Sequence, residues 1–155
     1  MEKHNDMQAG NRPRNGAAAA GENASAASNP IRVLLVDDSP VFLASAGETV
    51  GQCPGLELAG AATSGAEALA LIAQTAPDLV LMDLNMPGMN GLEATRHAKA
   101  IAPATRVMLI SVQRGEDLRR AAIAAGADAF VAKDDLGAEF LQHLRTWFGA
   151  EAAQP

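Results

Sequence analysis

Short, almost uninterrupted apolar runs recur along the chain from Ile31 onward, separated by stretches with helical periodicity. Four of the runs have the length of a strand: residues 33–36, 79–82, 107–110 and 130–132. Such runs are typical of strands that are buried on both faces of a parallel sheet. A fifth run, residues 56–59, alternates and includes the charged Glu57, which predicts an edge strand.

Helical patterns follow each predicted strand, and polar residues mark where several of them begin. Ser39 and Pro40 suit the N-cap and the first position of helix 1. Ser64 and Glu67 have the spacing of a capping box at the start of helix 2. The last helix, predicted over residues 138–148, carries its apolar side chains on one face.

The alternation of five strands with five helices predicts an α/β fold. We expect a three-layer α/β/α sandwich, (βα)5, with a flavodoxin-like parallel sheet in the order 2-1-3-4-5 and right-handed crossovers. In such sheets ligands bind at the carboxyl ends of the strands, beside the switch point between strands 1 and 3. The residues that follow the strands are therefore the candidates for chemistry.

Composition predicts one domain between two tails in the 155-residue chain. Residues 1–30 are rich in Ala, Gly, Asn, Ser and Pro and lack apolar periodicity, so we predict a disordered tail there, a domain over residues 31–149, and a short C-terminal tail over residues 150–155. The net charge of -6 disfavours direct nucleic-acid binding. No apolar stretch is long enough for a signal peptide or a membrane span, which predicts a cytoplasmic protein.

Polar residues end four of the five predicted strands. Asp37 and Asp38 follow strand 1, Asp83 strand 3, Ser111 strand 4 and Lys133 strand 5. Strands 1 and 3 are neighbours in the predicted order, so these carboxylates converge and raise one another's pKa by repulsion. Lys133 is one compensating charge and a hard divalent cation another. Mg²⁺ suits a few carboxylates with retained water, whereas the lack of His and Cys among these strand-end residues disfavours zinc.

Each of these residues taken singly has an ordinary explanation. An aspartate after a strand is commonly a helix cap or a turn former, a serine is often a turn residue, and a lysine is usually solvated. The prediction depends on their joint occurrence, because an acidic pair, an acid, a hydroxyl and a lysine each end a different strand.

The sequence around these residues resembles the receiver (CheY-like) domains of bacterial two-component response regulators. The resemblance rests on LLVDD at 34–38, DLNMPGMNG at 83–91, Ser111, and FVAK at 130–133. The second motif is highly specific, and the resemblance covers about residues 31–149. Lys133 is followed by Asp134 instead of the usual proline, which is similar to receivers of LuxR-type regulators. No DNA-binding domain is expected in this chain.

The resemblance implies a phosphoacceptor signalling domain and not an enzyme in its own right. Asp83 would be phosphorylated in a Mg²⁺-dependent reaction by a sensor histidine kinase or a histidine phosphotransfer protein. Ser111 would bond one phosphoryl oxygen and Lys133 another. The implied Mg²⁺ ligands are Asp38 directly, Asp37 through water, Asp83, and the backbone carbonyl of Asn85.

The resemblance also implies a switch made of Ser111 and Phe130. In the family, the hydroxyl moves toward the phosphoryl group and the aromatic ring fills the space that it leaves. The surface altered by this movement would be helix 4, strand 5 and helix 5. Arg114, Arg119 and Arg120 lie in or near helix 4, which predicts a docking face for an acidic downstream partner or for a homodimer.

Three alternatives stay open from the sequence. A pseudo-receiver that only binds proteins is favoured by Val112, a branched residue where the family usually has a small one. A Mg²⁺-dependent aspartyl-phosphate phosphatase is disfavoured by Asn85, because an amide cannot act as a general acid two residues beyond the nucleophile. A flavodoxin-type cofactor binder would need a phosphate-binding loop after strand 1, where the chain instead has Asp37 and Asp38.

Overall fold

The computed structural model describes residues 29–149 and has a five-stranded parallel sheet at its centre. The strands are β1 (Ile31–Val36), β2 (Leu56–Ala62), β3 (Leu79–Asp83), β4 (Arg106–Ser111) and β5 (Ala129–Ala132). Their order is β2-β1-β3-β4-β5, which confirms the predicted topology. Residues 1–28 of the predicted N-terminal tail and the whole predicted C-terminal tail, residues 150–155, lie outside the described residues.

Five helices cover the two faces of this sheet. They are α1 (Pro40–Gly51), α2 (Gly65–Thr75), α3 (Gly91–Ile101), α4 (Glu116–Ala124) and α5 (Leu136–Phe148), and a short 3-10 turn, Lys133–Asp135, precedes α5. Helices α2, α3 and α4 pack on one face, and α1 and α5 pack on the other. The predicted three-layer α/β/α sandwich is therefore confirmed. None of the helices described over residues 29–149 is long and apolar enough to cross a membrane.

Polar side chains begin the first two helices as the sequence predicts. Ser39 Oγ accepts the amide of the first turn of α1 at 3.2 Å, and Ser64 Oγ accepts the Glu67 amide at 3.1 Å. The Glu67 carboxylate bonds the Thr63 amide at 2.9 Å instead of the N-cap amide. Helix α5 begins at Leu136, earlier than predicted, because the 3-10 turn leads directly into it.

The apolar runs in the sequence are the buried strands of the structure. Every residue of β3 is buried, and every residue of β4 except Arg106. Strand β2, at the edge, exposes Glu57, as its alternating pattern predicts, but it also exposes Leu58, which that pattern would bury. Because all the strands are parallel, their carboxyl ends share one edge of the sheet, and the candidate residues are brought together there.

Candidate functional site

Three carboxylates meet where β1 and β3 end. Asp37 is 1% exposed and Asp83 5% exposed, while Asp38 lies open to solvent. One carboxylate oxygen from each of the three lies within 4.8 Å of the others. The parallel ladder between β1 and β3 explains this convergence, since Val36 is paired with Met82 and each is followed by an aspartate. The structure thus places all three predicted acids in one crevice.

Lys133 brings a positive charge into the same crevice. Its Nζ atom lies 2.8 Å from Asp37 Oδ2 and 3.6 Å from Asp83 Oδ1. The ammonium also lies 4.5 Å from the centroid of the Phe42 ring on α1, a favourable cation–π position. Phe42 is a contact that the sequence did not predict, because nothing in the local pattern indicates that α1 and the end of β5 approach each other.

Asp37 is held by donors at both of its carboxylate oxygens. The Ser39 amide donates to Oδ1 at 2.8 Å, and Lys133 Nζ donates to Oδ2 at 2.8 Å. Asp38, the next residue, is exposed. The adjacent aspartates therefore differ in role: the first is built into the protein's hydrogen-bond network, and the second faces solvent.

The pKa of Asp83 is raised above its ordinary value. Burial is the largest cause, followed by the negative charge of Asp37; the charge of Lys133 and a hydrogen bond from the Asn85 amide act in the opposite direction without cancelling them. A cation in the crevice would offset the repulsion among the carboxylates. Hard oxygen donors in this number and spacing fit Mg²⁺.

Ser111 and Phe130 lie on the same face of the sheet. Phe130 is paired with Leu109, two residues before Ser111, and packs in the core that α2, α3 and α4 cover. Ser111 is fully buried, and its Oγ accepts the Gln113 amide at 2.9 Å, which leaves the hydroxyl hydrogen available to a further acceptor. Phe130 is 4% exposed.

The three arginines of the predicted partner face all contact groups within the domain. Arg114 makes a bidentate ion pair with Asp135, at 2.8 and 3.3 Å. Arg120 pairs with acidic side chains of its own helix. The Arg119 guanidinium lies 5.8 Å from the centroid of the Phe130 ring. The spacing along α4 could have predicted the Arg120 pairs, whereas the Arg114 pair joins segments that are distant in sequence.

The loop after Asp83 returns so close to β3 that residue 91 has no space for a side chain. A Cβ atom on Gly91 would overlap the backbone oxygen of Asp83 and lie 2.8 Å from Leu84 Cα. The Gly91 amide donates to the Leu84 carbonyl at 2.8 Å, and Asn90 Oδ1 accepts the first-turn amide of α3 at 2.9 Å. The loop that carries Asp83 is thus fixed by the start of α3.

The sequence over residues 33–145 matches the response regulator receiver domain family. This match includes β1 from Val33 onward, the whole of the other four strands, and every residue of the crevice. The chain belongs to the response regulator receiver domain family. Its members act in two-component systems, and this receiver domain is homologous to phosphorylatable response regulators.

Two curated relatives show how far the similarity extends. The receiver domain is 37% identical over 137 residues to protein-glutamate methylesterase/protein-glutamine glutaminase 5 of Myxococcus xanthus, which covers 82% of this chain and 39% of that protein. It is 34% identical over 105 residues to the nitrate/nitrite response regulator protein NarL of Escherichia coli, which covers 68% of this chain and 49% of NarL. The chain therefore spans about half the length, or less, of these relatives.

Solved structures of similar proteins have the same fold. A two-component response regulator of the LuxR family from Aurantimonas sp. has a TM-score of 0.73 at 32% identity, covering 81% of this chain and 89% of that one. The CheX-CheY-BeF3-Mg complex from Borrelia burgdorferi has a TM-score of 0.70 at 29% identity, covering 77% of this chain and 90% of the matched chain. Both confirm the predicted likeness to CheY-like and LuxR-type receivers.

Proposed function

We propose that this receiver domain is the phosphoacceptor of a two-component phosphorelay and that Asp83 is the residue that is phosphorylated. The observation that carries the proposal is the convergence of Asp37, Asp38 and Asp83 with the ammonium of Lys133 in one crevice. The donor would be a phosphohistidine of a histidine kinase or of a histidine phosphotransfer protein. The bond between Asp83 Oδ and phosphorus forms as the P–N bond breaks, and the electron pair of that bond returns to the imidazole.

Ser111 and Lys133 are proposed to bind the phosphoryl oxygens during transfer. Phosphoryl transfer requires alignment and neutralisation of charge more than covalent assistance. Lys133 Nζ is 3.6 Å from Asp83 Oδ1, within reach of a group bonded there. The Ser111 hydroxyl already accepts the Gln113 amide, so its own hydrogen can be donated to a phosphoryl oxygen.

Mg²⁺ is the cofactor that the crevice fits best. Both oxygens of Asp37 already accept protein donors, which favours contact through water, whereas the exposed Asp38 suits direct ligation. Asp83 and the backbone carbonyl of Asn85 are the other proposed ligands. When bound, Mg²⁺ neutralises charge on the phosphoryl oxygens. The related Borrelia complex contains Mg²⁺ together with BeF3, which supports this assignment.

The two adjacent aspartates are expected to contribute unequally to Mg²⁺ affinity. Asp38→Ala should weaken binding by about ten-fold or more, and Asp37→Ala by less, because only the first removes a direct ligand. The measurement is a Mg²⁺ titration followed by the backbone amides of Asp83 and Asn85 in NMR spectra. Asp117→Ala, which removes an exposed acid of α4, is the control. An unchanged affinity in Asp38→Ala contradicts the assignment.

The proposed output surface consists of α4, β5 and α5. It would bind a downstream protein or a second copy of the domain, and Arg114, Arg119 and Arg120 would face acidic groups there. Phe130 connects this surface to the site, because it shares a sheet face with Ser111 and contacts the Arg119 guanidinium. Arg114 and Arg120 are already paired with acidic side chains of this domain, so an acidic partner must displace those side chains in order to bind the arginines.

Replacing Phe130 with leucine is expected to separate phosphorylation from output. Leucine keeps an apolar side chain in the core but removes the ring that would follow the Ser111 hydroxyl. Asp83 should be phosphorylated almost as in the wild type, while the NMR shifts that a beryllofluoride mimic induces in α4 and α5 should shrink. If the mimic moves only amides beside Asp83 in the wild-type domain, this face is not the output.

The direct test of the proposed function is incubation of the full chain with Mg²⁺ and a small phosphodonor such as acetyl phosphate. Intact mass spectrometry should show one phosphoryl adduct that is labile in acid or base, and peptide mapping should place it on Asp83. A chain that gains no adduct, or gains it on another residue, contradicts the proposal.

A further inference from the structure

An ion pair joins the loop after β4 to the turn after β5. Arg114 donates through both terminal nitrogens to the two oxygens of Asp135, a bidentate arrangement of the kind that strengthens arginine–carboxylate pairs. Asp134 Oδ2 lies 3.9 Å from the same guanidinium. Both paired side chains are more than a third exposed, at 58% and 38%.

This ion pair links the two segments that follow β4 and β5, so that the two segments and the paired strand ends form a closed loop. Ser111 lies opposite Ala132 in the sheet, so one arm of this closed loop runs from Ser111 to Arg114 and the other from Ala132 to Asp135. The first arm carries the Ser111 hydroxyl, and the second carries Lys133. The ion pair therefore connects the segments that hold the two groups proposed to bind the phosphoryl oxygens.

Ser111 and Lys133 anchor the start of each arm, through the Gln113 amide and through Asp37 and Asp83, and the Arg114–Asp135 pair joins the far ends. Gly115, at the start of α4, has a φ of 139° and offers no capping side chain. Asp135 stands at the N-cap of α5, where an aspartate ordinarily accepts an amide of its own helix. No such bond is made, and the Asp135 carboxylate is directed at Arg114 instead. The pair thus takes the place of a cap and links two loops, which is unlike a pair that only stabilises one helix.

We propose that Arg114 and Asp135 are positioning residues for phosphoryl transfer to Asp83. By linking the two arms, they hold the Ser111 hydroxyl and the Lys133 ammonium in a fixed relation before the donor arrives. Exposed ion pairs contribute little to overall stability, but prior alignment of groups that must act together increases the rate. The inference rests on the proposed function of Asp83 and adds a determinant of its rate.

The test compares rates of Asp83 phosphorylation by acetyl phosphate at saturating Mg²⁺, with no protein partner present. Arg114→Ala should lower the maximal rate about two- to five-fold, in keeping with the modest strength of an exposed pair. Asp135→Asn should lower it less, because Asp134 can still pair with Arg114. The reversed pair, Arg114→Asp with Asp135→Arg, should recover most of the loss. The acetyl phosphate concentration that gives half the maximal rate should not change.

A matched control is available in α4. Asp117→Asn removes a pair with Arg120 that is equally short, at 2.8 Å, but connects no loops, and it should leave the rate unchanged. Raising the ionic strength should slow the wild-type domain toward the Arg114→Ala rate by screening the pair. If the single variants are phosphorylated as fast as the wild type or faster, this inference is wrong while the proposed function stands. The same holds if the reversed pair recovers none of the lost rate. A wild-type chain that takes no phosphoryl group overturns the proposed function and this inference with it.

Discussion

Asp83→Asn is expected to abolish the phosphoryl adduct and, in the absence of divalent metal, to stabilise the domain. The amide keeps the shape of the side chain but lacks the carboxylate nucleophile, so neither acetyl phosphate nor a phosphohistidine should leave a labile adduct. The stabilisation follows from electrostatics. Asp83 is buried beside Asp37, and the replacement removes one of the negative charges that repel each other there.

The direction of this stability change follows from the pKa of Asp83. Burial and Asp37 raise that pKa in the folded state above its value in the unfolded chain. Ionised Asp83 therefore destabilises the fold at neutral pH, and the penalty declines as the pH falls through the raised folded-state pKa and is gone below the unfolded pKa. We expect Asp83→Asn to gain on the order of 1 kcal/mol in EDTA at pH 7, and to lose this advantage at acidic pH.

Thermal unfolding with and without Mg²⁺ checks the prediction. The wild-type domain should gain more stability from Mg²⁺ than Asp83→Asn does, because binding to the folded state alone stabilises it. Asp117→Asn, at an exposed carboxylate of α4, should change neither the adduct nor the dependence on Mg²⁺. A full adduct on Asp83→Asn, or a variant less stable than the wild type in EDTA, contradicts the account of this site.

Gly91→Ala is expected to impair both folding and phosphorylation. The new Cβ would lie within 3 Å of the Asp83 carbonyl oxygen and of Leu84 Cα, and backbone atoms cannot turn aside as a flexible side chain can. Relief requires the loop or α3 to move, at a cost of about 1–3 kcal/mol. Because that loop carries Asp83, displacement by about 1 Å could slow phosphorylation roughly 100-fold.

The comparison for this variant is Gly51→Ala. A Cβ atom at Gly51, the last residue of α1, would meet no atom within 4 Å. That replacement should be neutral or stabilise the domain by up to about 1 kcal/mol through helix propensity. Unfolding midpoints and acetyl phosphate rates are measured for both variants. Gly91→Ala with the stability and the rate of the wild type would show that the loop is not fixed in the way proposed.

The fold could be predicted because its main signals are local. A strand buried on both faces needs a nearly continuous apolar run, and strands 1, 3, 4 and 5 each contain one that can be read without reference to the rest of the chain. The edge strand includes the charged Glu57 because only part of that strand faces the core. The boundary of α5 was less predictable, because the 3-10 turn before it has no distinctive sequence pattern.

The sequence by itself determined which residues end the strands, and in a parallel sheet this already brings Asp37, Asp38 and Asp83 to one edge. Only the tertiary structure decided which hydrogen-bond donors and which positive charge each of these carboxylates contacts. Both oxygens of Asp37 accept protein donors, Asp38 faces solvent, and Lys133 lies nearer to Asp37 than to Asp83. The Arg114–Asp135 pair likewise joins residues 21 apart in sequence. Periodicity along a chain records which face of an element is buried, whereas contacts between side chains of different elements depend on how those elements pack in space.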